Sequence, residues 1–281
     1  MSNETNALRP EDYAEPRCLL GDEHFGSAPE VIPIPQQRIA EKLDDFMSRR
    51  DYAGAERHLL YWMEEAKLGH DLRGELFLCN ELIGHYRKAG ARDNALRFVD
   101  RALALLRALE LDGSVTAGTT LVNAATACNA FGDDERALAL FQQAKTVYEE
   151  IPDLSPKLLG GLYNNMAVVC TTLGRYDESH ALYDLAMERM AQVRGGTLEQ
   201  AVTCLNRADT IAAERGAENG EAEITALLER AYDLIQTTDA PRDGYYAFVC
   251  EKCAPGFSYY GWFAAAAELK ETAESIYHER S

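Results

Sequence analysis

The sequence predicts an all-α fold in which about six similar helical hairpins stack side by side into an α-α superhelix. Two observations predict it. A pattern of glycines and small residues recurs about every 42 residues, and the apolar residues within each repeat recur at intervals of three and four. Periods of roughly 20 to 50 residues are typical of stacked units, because one unit alone cannot bury its apolar face. No part of the sequence requires a β-strand.

The repeat is clearest at the turn between the two helices of each hairpin. Successive predicted turns lie 40, 42, 42, 45 and 42 residues apart. Four of the six turn positions are glycine, which ends a helix in the left-handed conformation without a side-chain penalty. The turns are predicted near residues 50, 90, 132, 174, 219 and 261, at Arg50, Gly90, Gly132, Gly174, Asn219 and Gly261.

Small side chains follow the turns at fixed distances. In the third repeat they are Ala137 and Ala144, and small residues at these points let neighbouring helices approach closely. Ser155 and Pro156 mark one helix start, as an N-cap followed by proline at the first helical position. Twelve helices are predicted from about Gln37 to Glu279, with the first helix of each hairpin near 37–49, 71–89, 113–131, 155–173, 197–215 and 242–260.

Two stretches carry a resemblance to a known family. Residues 173–186, LGRYDESHALYDLA, and residues 131–144, FGDDERALALFQQA, resemble the tetratricopeptide repeat. The step of 42 residues and the motif LYNNMA at 162–167 are most similar to the longer repeats of the kinesin light chain type, and the protein looks bacterial. The resemblance covers about 240 of the 281 residues. It is weaker in the first unit and in the fifth, which carries an insertion in AERGAENGEAE at 213–223.

The resemblance implies a right-handed superhelix whose concave groove is lined by the first helices and binds a protein or an extended peptide. It therefore predicts a non-enzymatic binding scaffold without a cofactor. The family's carboxylate clamp needs Lys and Arg on successive first helices. Arg87 and Lys88 lie on one helix only, so a chaperone-clamp function is not expected.

Asparagines recur once per repeat in the middle of the predicted first helices, although asparagine is a poor mid-helix residue. In the family this part of the helix faces the groove, where an amide can both donate to and accept from a peptide backbone. The alternative is that these amides bond to neighbouring helices or to water. Asn80, Asn123, Asn165 and Asn206 form this set, and the predicted groove residues are Asn80, Asn123, Asn164, Asn165, Asn206, Thr126 and Arg87.

The first 36 residues form a separate, proline-bearing segment without helical periodicity, which predicts an extended chain before a solenoid over 37–281. We expect this segment to pack on the first repeat. The alternative is that it enters the groove as a built-in ligand. At the other end of the chain, Pro255 lies inside a predicted helix among many aromatic residues. We expect these rings to cap the solenoid, and a binding pocket is the alternative.

Cys250 and Cys253 have the spacing of a redox pair or of half a metal site. A redox pair needs an exposed thiolate, and a tetrahedral zinc site needs four ligands. The repeat instead places six of the seven cysteines at core positions, so we expect them to be buried. A metal or redox function remains an alternative, with Cys18 and His24 as a second pair of ligands. Neither a phosphate-binding glycine loop nor a catalytic nucleophile with a base is recognisable, so an enzyme is not expected.

The charge of the chain limits its partners. With 28 basic and 46 acidic residues the formal charge is -18, which disfavours nucleic acid and anionic lipid and favours a partner with basic residues. Residues 1–37 lack the apolar run of a signal peptide, and no stretch is long and apolar enough to span a membrane, so we expect a cytoplasmic protein. A peptide-sensing regulator that acts through protein contacts is the alternative function.

Overall fold

The computed structural model describes residues 30–279, and this part of the chain contains twelve α-helices and no strand. The all-α prediction is therefore confirmed. The odd-numbered helices are α1 (Gln36–Ser48), α3 (Leu72–Lys88), α5 (Val115–Ala130), α7 (Pro156–Thr172), α9 (Thr197–Arg215) and α11 (Gly244–Tyr259). The even-numbered helices are α2 (Tyr52–Leu68), α4 (Arg92–Ala108), α6 (Asp134–Glu150), α8 (Tyr176–Met190), α10 (Glu221–Gln236) and α12 (Phe263–Glu279).

The helices stack as six helix-turn-helix units. Each odd-numbered helix packs against the even-numbered helix that follows it. From α3 to α11 the odd-numbered helices also contact one another from unit to unit. Helices on the inside of a curved stack lie closest together, so the odd-numbered helices line the concave face and the even-numbered helices form the convex face.

The turns inside the units contain left-handed residues, as the glycine pattern predicts. The fifth of these residues is Gly216, with φ +84°, and not Asn219. In this unit α9 continues to Arg215. The side-chain amide of Asn219 donates to the backbone carbonyl of Arg215 at 2.8 Å, and this bond attaches the inserted loop to the end of the helix. The other five left-handed residues lie at the predicted positions Arg50, Gly90, Gly132, Gly174 and Gly261.

The hydrophobic core runs between the two layers of helices. The predicted small residues lie at its centre, and Ala137 and Ala144 are fully buried. The buried residues form two clusters, one from Ile34 to Ala186 and one from Leu198 to Ala273, so the core divides between α8 and α9. None of the described helices is both long and apolar enough to cross a membrane.

The described end of the N-terminal segment packs on the turn between α2 and α3. The amide of Ile32 donates to the carbonyl of Gly69 at 2.8 Å, and the amide of Ile34 donates to the carboxylate of Asp71 at 2.9 Å. The side chain of Ile34 is buried. Residues 1–29 lie outside the described part, so the expectation for most of this segment remains a prediction.

The first two units touch the last unit, and we call this contact the seam. Nη2 of Arg50 lies 3.3 Å from Oε1 of Glu251, and the Arg50 guanidinium lies 4.8 Å from the ring centre of Tyr277. Nζ of Lys88 lies 5.8 Å from the ring centre of Phe248. About half of each side chain in the Arg50–Glu251 pair is exposed, and such a pair contributes about 0 to 1 kcal/mol. The seam is therefore a light contact.

Gly118 tests how tightly the units pack. A Cβ atom at this residue would overlap the ring of Tyr148, which is buried. We expect Gly118→Ala to lower the free energy of unfolding by about 1 to 3 kcal/mol, because the core has no room for the methyl group. Urea unfolding followed by far-ultraviolet circular dichroism measures the effect.

Gly84 in α3 is the matched control. A Cβ atom there has no neighbour within 4 Å, so Gly84→Ala should raise stability by about 0.5 to 1 kcal/mol through helix propensity alone. Similar urea midpoints for the two variants would contradict the close packing at Gly118.

Candidate functional site: the concave groove

The candidate site is the concave face of the solenoid. The predicted groove residues lie on four of its helices, and all of them are partly exposed. They are Asn80 and Arg87 on α3, Asn123 and Thr126 on α5, Asn164 and Asn165 on α7, and Asn206 on α9. The hydroxyl of Thr126 donates to the carbonyl of Val122 at 2.8 Å, within its own helix.

One pair of amides ties α3 to α5. Nδ2 of Asn123 donates to Oδ1 of Asn80 at 2.9 Å. Nδ2 of Asn80 in turn donates to the hydroxyl of Thr120 and to the carbonyl of Leu76, both at 3.0 Å. All the hydrogen-bonding groups of Asn80 are therefore engaged, whereas Oδ1 of Asn123 has no partner among the described residues.

A second pair ties α7 to α9. Nδ2 of Asn206 donates to Oδ1 of Asn164 at 3.1 Å, and the hydroxyl of Thr203 donates to the same oxygen at 3.1 Å. Nδ2 of Asn164 donates to Oδ1 of Asn165 at 3.3 Å. The amide that bonds to Asn206 is therefore that of Asn164, although the repeat pattern indicated Asn165.

Some polar atoms of these amides are hydrogen-bonded to protein groups, and others are not. Four of the amides bond to a neighbouring helix, which was the alternative to a groove function. Three polar atoms of these five amides have no hydrogen-bond partner within residues 30–279, and none of the three is buried. They are Oδ1 of Asn123, Nδ2 of Asn165 and Oδ1 of Asn206. The neighbouring helices hold these side chains in place, and their remaining acceptors and donor stay accessible.

Cavities open beside the two pairs of amides. A cavity of about 400 Å³ next to Asn80 and Asn123 is also lined by Phe77 and Glu81. A cavity of about 140 Å³ lies next to Asn164 and Asn165, and a third of about 450 Å³ lies near the start of α9. Glu199 and Tyr245 line both of these last two cavities, so the recesses continue along the face.

Helix α11 adds side chains to the groove that the asparagine pattern did not predict. Phe248 and Lys252 line the cavity beside Asn165. Tyr245 lies in the same cavity, and its hydroxyl donates to the carboxylate of Glu199 at 3.0 Å. The aromatic residues of α11 therefore do not all serve as an end cap. The spacing of 245, 248 and 252 on one helix face could have indicated this, because it follows the helical repeat.

Charged groups of both signs lie in the groove. Burial raises the pKa of Glu81, with a smaller contribution from Asp44. Burial also raises the pKa of Asp209, and the hydroxyl of Tyr260 donates to this carboxylate at 2.8 Å, which lowers the pKa and partly offsets the shift. The pKa of Lys252 is lowered, first by burial and then by the charge of Arg87. Glu81 is half-buried beside its cavity, whereas Asp209 and Lys252 are exposed, so Glu81 is the partly dehydrated charge of the three.

The six described cysteines are all buried, as predicted. Cys250 and Cys253 are 0% and 1% exposed, and burial raises their pKa values to about 11 and about 12. Both thiols are protonated at neutral pH, which does not favour a redox pair. Within the described range no group of three or more metal-ligating side chains occurs, and Cys18 and His24 lie outside that range.

Comparison with known proteins supports the repeat assignment. Residues 77–150 match the tetratricopeptide repeat family. Among solved structures, BtubC (BKLC) from P. vanneervenii aligns with a TM-score of 0.60 at 18% identity, over 73% of this chain and 82% of that chain. A putative kinesin light chain with nearly identical TPR-like repeats from Podosopora anserina aligns with a TM-score of 0.48 at 17% identity, over 72% and 95% of the two chains. No curated protein matches the sequence.

The fold is that of a tetratricopeptide-repeat solenoid, a fold that commonly serves as a scaffold for protein interactions. The chain carries six such helical hairpins over residues 36–279. The resemblance to the tetratricopeptide repeat, read from the sequence, is confirmed.

The buried thiols predict how stability depends on pH. Burial raises the pKa of Cys79 and Cys253 to about 12. In alkaline solution both thiols therefore stay protonated in the folded protein at pH values where they are already ionised in the unfolded chain. The contribution of these thiols to stability should be constant below the unfolded-state pKa of about 8.5 and should fall at higher pH, by up to about 1.4 kcal/mol per pH unit for each thiol.

Urea midpoints between about pH 8 and about pH 10 measure this dependence, in a window below the ordinary pKa of tyrosine. The slope should be smaller in Cys79→Ala and in Cys253→Ala, and Leu82→Ala, which removes buried volume but no titrating group, should leave it unchanged. Identical slopes in all four proteins would show that these thiols are not enclosed as described.

Proposed function

We propose that the protein is a non-enzymatic, cytoplasmic scaffold that binds an extended segment of a partner protein along the concave groove. One observation carries the proposal: Asn123, Asn165 and Asn206 are positioned by bonds to neighbouring side chains and keep unused hydrogen-bonding atoms on that face. An extended peptide presents its own N–H and C=O groups along its length. Amides that can donate and accept suit such a backbone whatever its sequence.

The cavities beside the amides select which side chains the bound segment carries at each position. Side chains of an extended peptide alternate in direction, so those on one side can enter recesses while the backbone bonds to the amides. The cavity beside Asn123 contains Phe77, and the cavity beside Asn165 contains Phe248. Apolar residues of the partner fit best at these two places, because burial against aromatic rings is favourable.

The net charge of the protein affects how fast a charged partner associates with it. With a formal charge of -18, the surface attracts a segment that carries basic residues and repels a polyanion. Within the groove, Glu81 and Asp209 supply negative charges that can face such residues. The effect is expected mainly on the association rate, since the interaction of exposed charges is screened by salt. A peptide-sensing regulator would use the same surface.

The test uses linear peptides selected from a random library on the wild-type protein. We expect Asn123→Ala/Asn165→Ala/Asn206→Ala to bind them about 10 to 1000 times more weakly, because each neutral hydrogen bond contributes about 0.5 to 1.5 kcal/mol. Fluorescence anisotropy with labelled peptides measures the affinity. Asn165→Ala alone is the cleanest single variant, because Asn165 donates to no described residue.

The control replaces three amide side chains of the convex helices, Asn94 on α4 and Gln142 and Gln143 on α6, in Asn94→Ala/Gln142→Ala/Gln143→Ala. It removes the same number of amides and should leave the affinity unchanged. Circular dichroism verifies that both triple variants are folded. If the two triple variants bind the selected peptides equally, the amides of the groove are not the binding site.

A further inference from the structure

A recess also lies on the convex side of the solenoid, between α2 and α4. Helix α3 packs against both of these helices, and a cavity of about 360 Å³ remains between them. Its walls include Leu60 and Met63 of α2 and Phe98 of α4, and Glu75 reaches it from α3. It shares no lining residue with the cavities beside the amides. We call this cavity the convex recess.

The convex recess contains a buried carboxylate. Glu75 is 3% exposed, and it is the only carboxylate buried within a helix of residues 30–279. Nε and Nη2 of Arg101 both donate to Oε2 of Glu75, at 3.1 and 2.5 Å. Oε1 has no hydrogen-bond partner among the described residues, and it is not fully enclosed. A carboxylate oxygen in so dry a place is costly without a partner, and a donor placed in the recess would satisfy it.

The convex recess has an apolar wall at a position where the convex face is otherwise polar. Leu60 is the ninth residue of α2, and the ninth residue of every other even-numbered helix is polar. These residues are Asp100, Gln142, Asp184, Glu229 and Glu271. Met63 and Phe98, which are both buried, complete the apolar wall. The repeat does not require a leucine at this place, so the apolar wall points to a ligand.

The charges around the convex recess favour a neutral ligand. Three cations and two carboxylates line it, and these are Lys67, Arg97, Arg101, Glu64 and Glu75. A cationic ligand at Glu75 would approach the three like charges, which repel it. A carboxylate ligand would meet the free oxygen of Glu75, which also repels it. A neutral N–H or O–H donor meets neither repulsion.

We propose that the convex recess binds a tryptophan or tyrosine side chain of a partner protein. Both side chains combine a flat apolar ring with one neutral donor. The ring would pack against Leu60, Met63 and Phe98, and its N–H or O–H would donate to Oε1 of Glu75. A hydrogen bond to a charged acceptor is about twice as strong as one between neutral groups, and phenylalanine cannot form it.

This site goes beyond the proposed function and does not depend on it. The convex recess opens on the outer surface, so its ring must project from the surface of a partner and not from a segment in the groove. Occupation of one face leaves the other face free. The scaffold would therefore hold two partners at once.

The experiment follows the backbone amides of the full chain in two-dimensional nitrogen–proton NMR spectra while small probes are added. The probes are the N-acetyl amides of tryptophan, tyrosine, phenylalanine, lysine and a tryptophan methylated at its ring nitrogen. We expect the tryptophan probe, the tyrosine probe or both to shift the amides around Leu60 and Phe98. The phenylalanine and methylated probes should bind at least about ten times more weakly, because their rings donate no hydrogen bond.

Two variants test the two parts of the site. Leu60→Gln gives α2 the residue that α6 carries at this position, and it should weaken the tryptophan probe at least about five times, because it removes an apolar wall. Glu75→Gln keeps the shape and removes the charged acceptor, and it should weaken the probe at least about ten times. If Glu75→Gln does not fold, Leu60→Gln alone decides the result.

Each variant has a matched control on a convex helix outside the recess. Leu185→Gln replaces a half-buried leucine of α8, and Glu149→Gln removes one carboxylate of α6. Both controls should bind the probes as tightly as the wild type. Circular dichroism verifies that all four variants are folded.

Three results would overturn the proposal: no shift around Leu60 and Phe98 with either donor probe, equally tight binding of the phenylalanine probe, or tighter binding of the lysine probe. The outcome is separate from that of the proposed function. Peptides selected on the groove should bind Leu60→Gln as tightly as the wild type. The triple asparagine variant of the groove should bind the tryptophan probe unchanged.

Discussion

Close contact between helices, made possible by small side chains, is the constraint on which the rest of this structure depends. Residues such as Ala95, Ala137 and Ala144 are fully buried where helices cross, and a larger side chain at any of them would push the layers apart. Because the odd-numbered helices approach one another closely, Asn80 and Asn123 come within hydrogen-bonding distance across 43 residues of sequence. The curvature, the amide row and the meeting of the ends all follow from this spacing.

The sequence predicted the architecture well because the repeat is a local property. Glycine at the turns and small residues after them determine each hairpin, and the predicted first helices of the hairpins agree with the observed ones to within two residues. The exceptions have physical reasons. The extra residues of the fifth unit lie between Gly216 and the start of α10 at Glu221, so the left-handed residue precedes the predicted Asn219. Asn164 rather than Asn165 bonds to Asn206, because the side chain of Asn164 points toward α9. The seam could not be predicted, since it depends on small rotations added over six units.

The amide side chains of the concave face are held rigidly and still have hydrogen-bonding atoms without a partner in the described residues. The hydrogen bonds between amides of neighbouring helices hold the side chains in one orientation, so a ligand would not have to order them. The same bonds engage Asn80 completely, which leaves Asn123, Asn165 and Asn206 as the accessible amides. Beside them lie charges of both signs, with carboxylates at Glu81 and Asp209 and the ammonium groups of Lys88 and Lys252 near Phe248. A segment with uniform charge would match only part of this surface.

The contact between Arg50 and Glu251 has a topological consequence. It joins the two ends of the stack, so in residues 30–279 a closed circuit of contacts surrounds the concave face and leaves a mouth on either side. A chain terminus can thread through a mouth. A loop whose two ends are anchored in folded domains has no free end to thread, and it enters only after Arg50 and Glu251 separate.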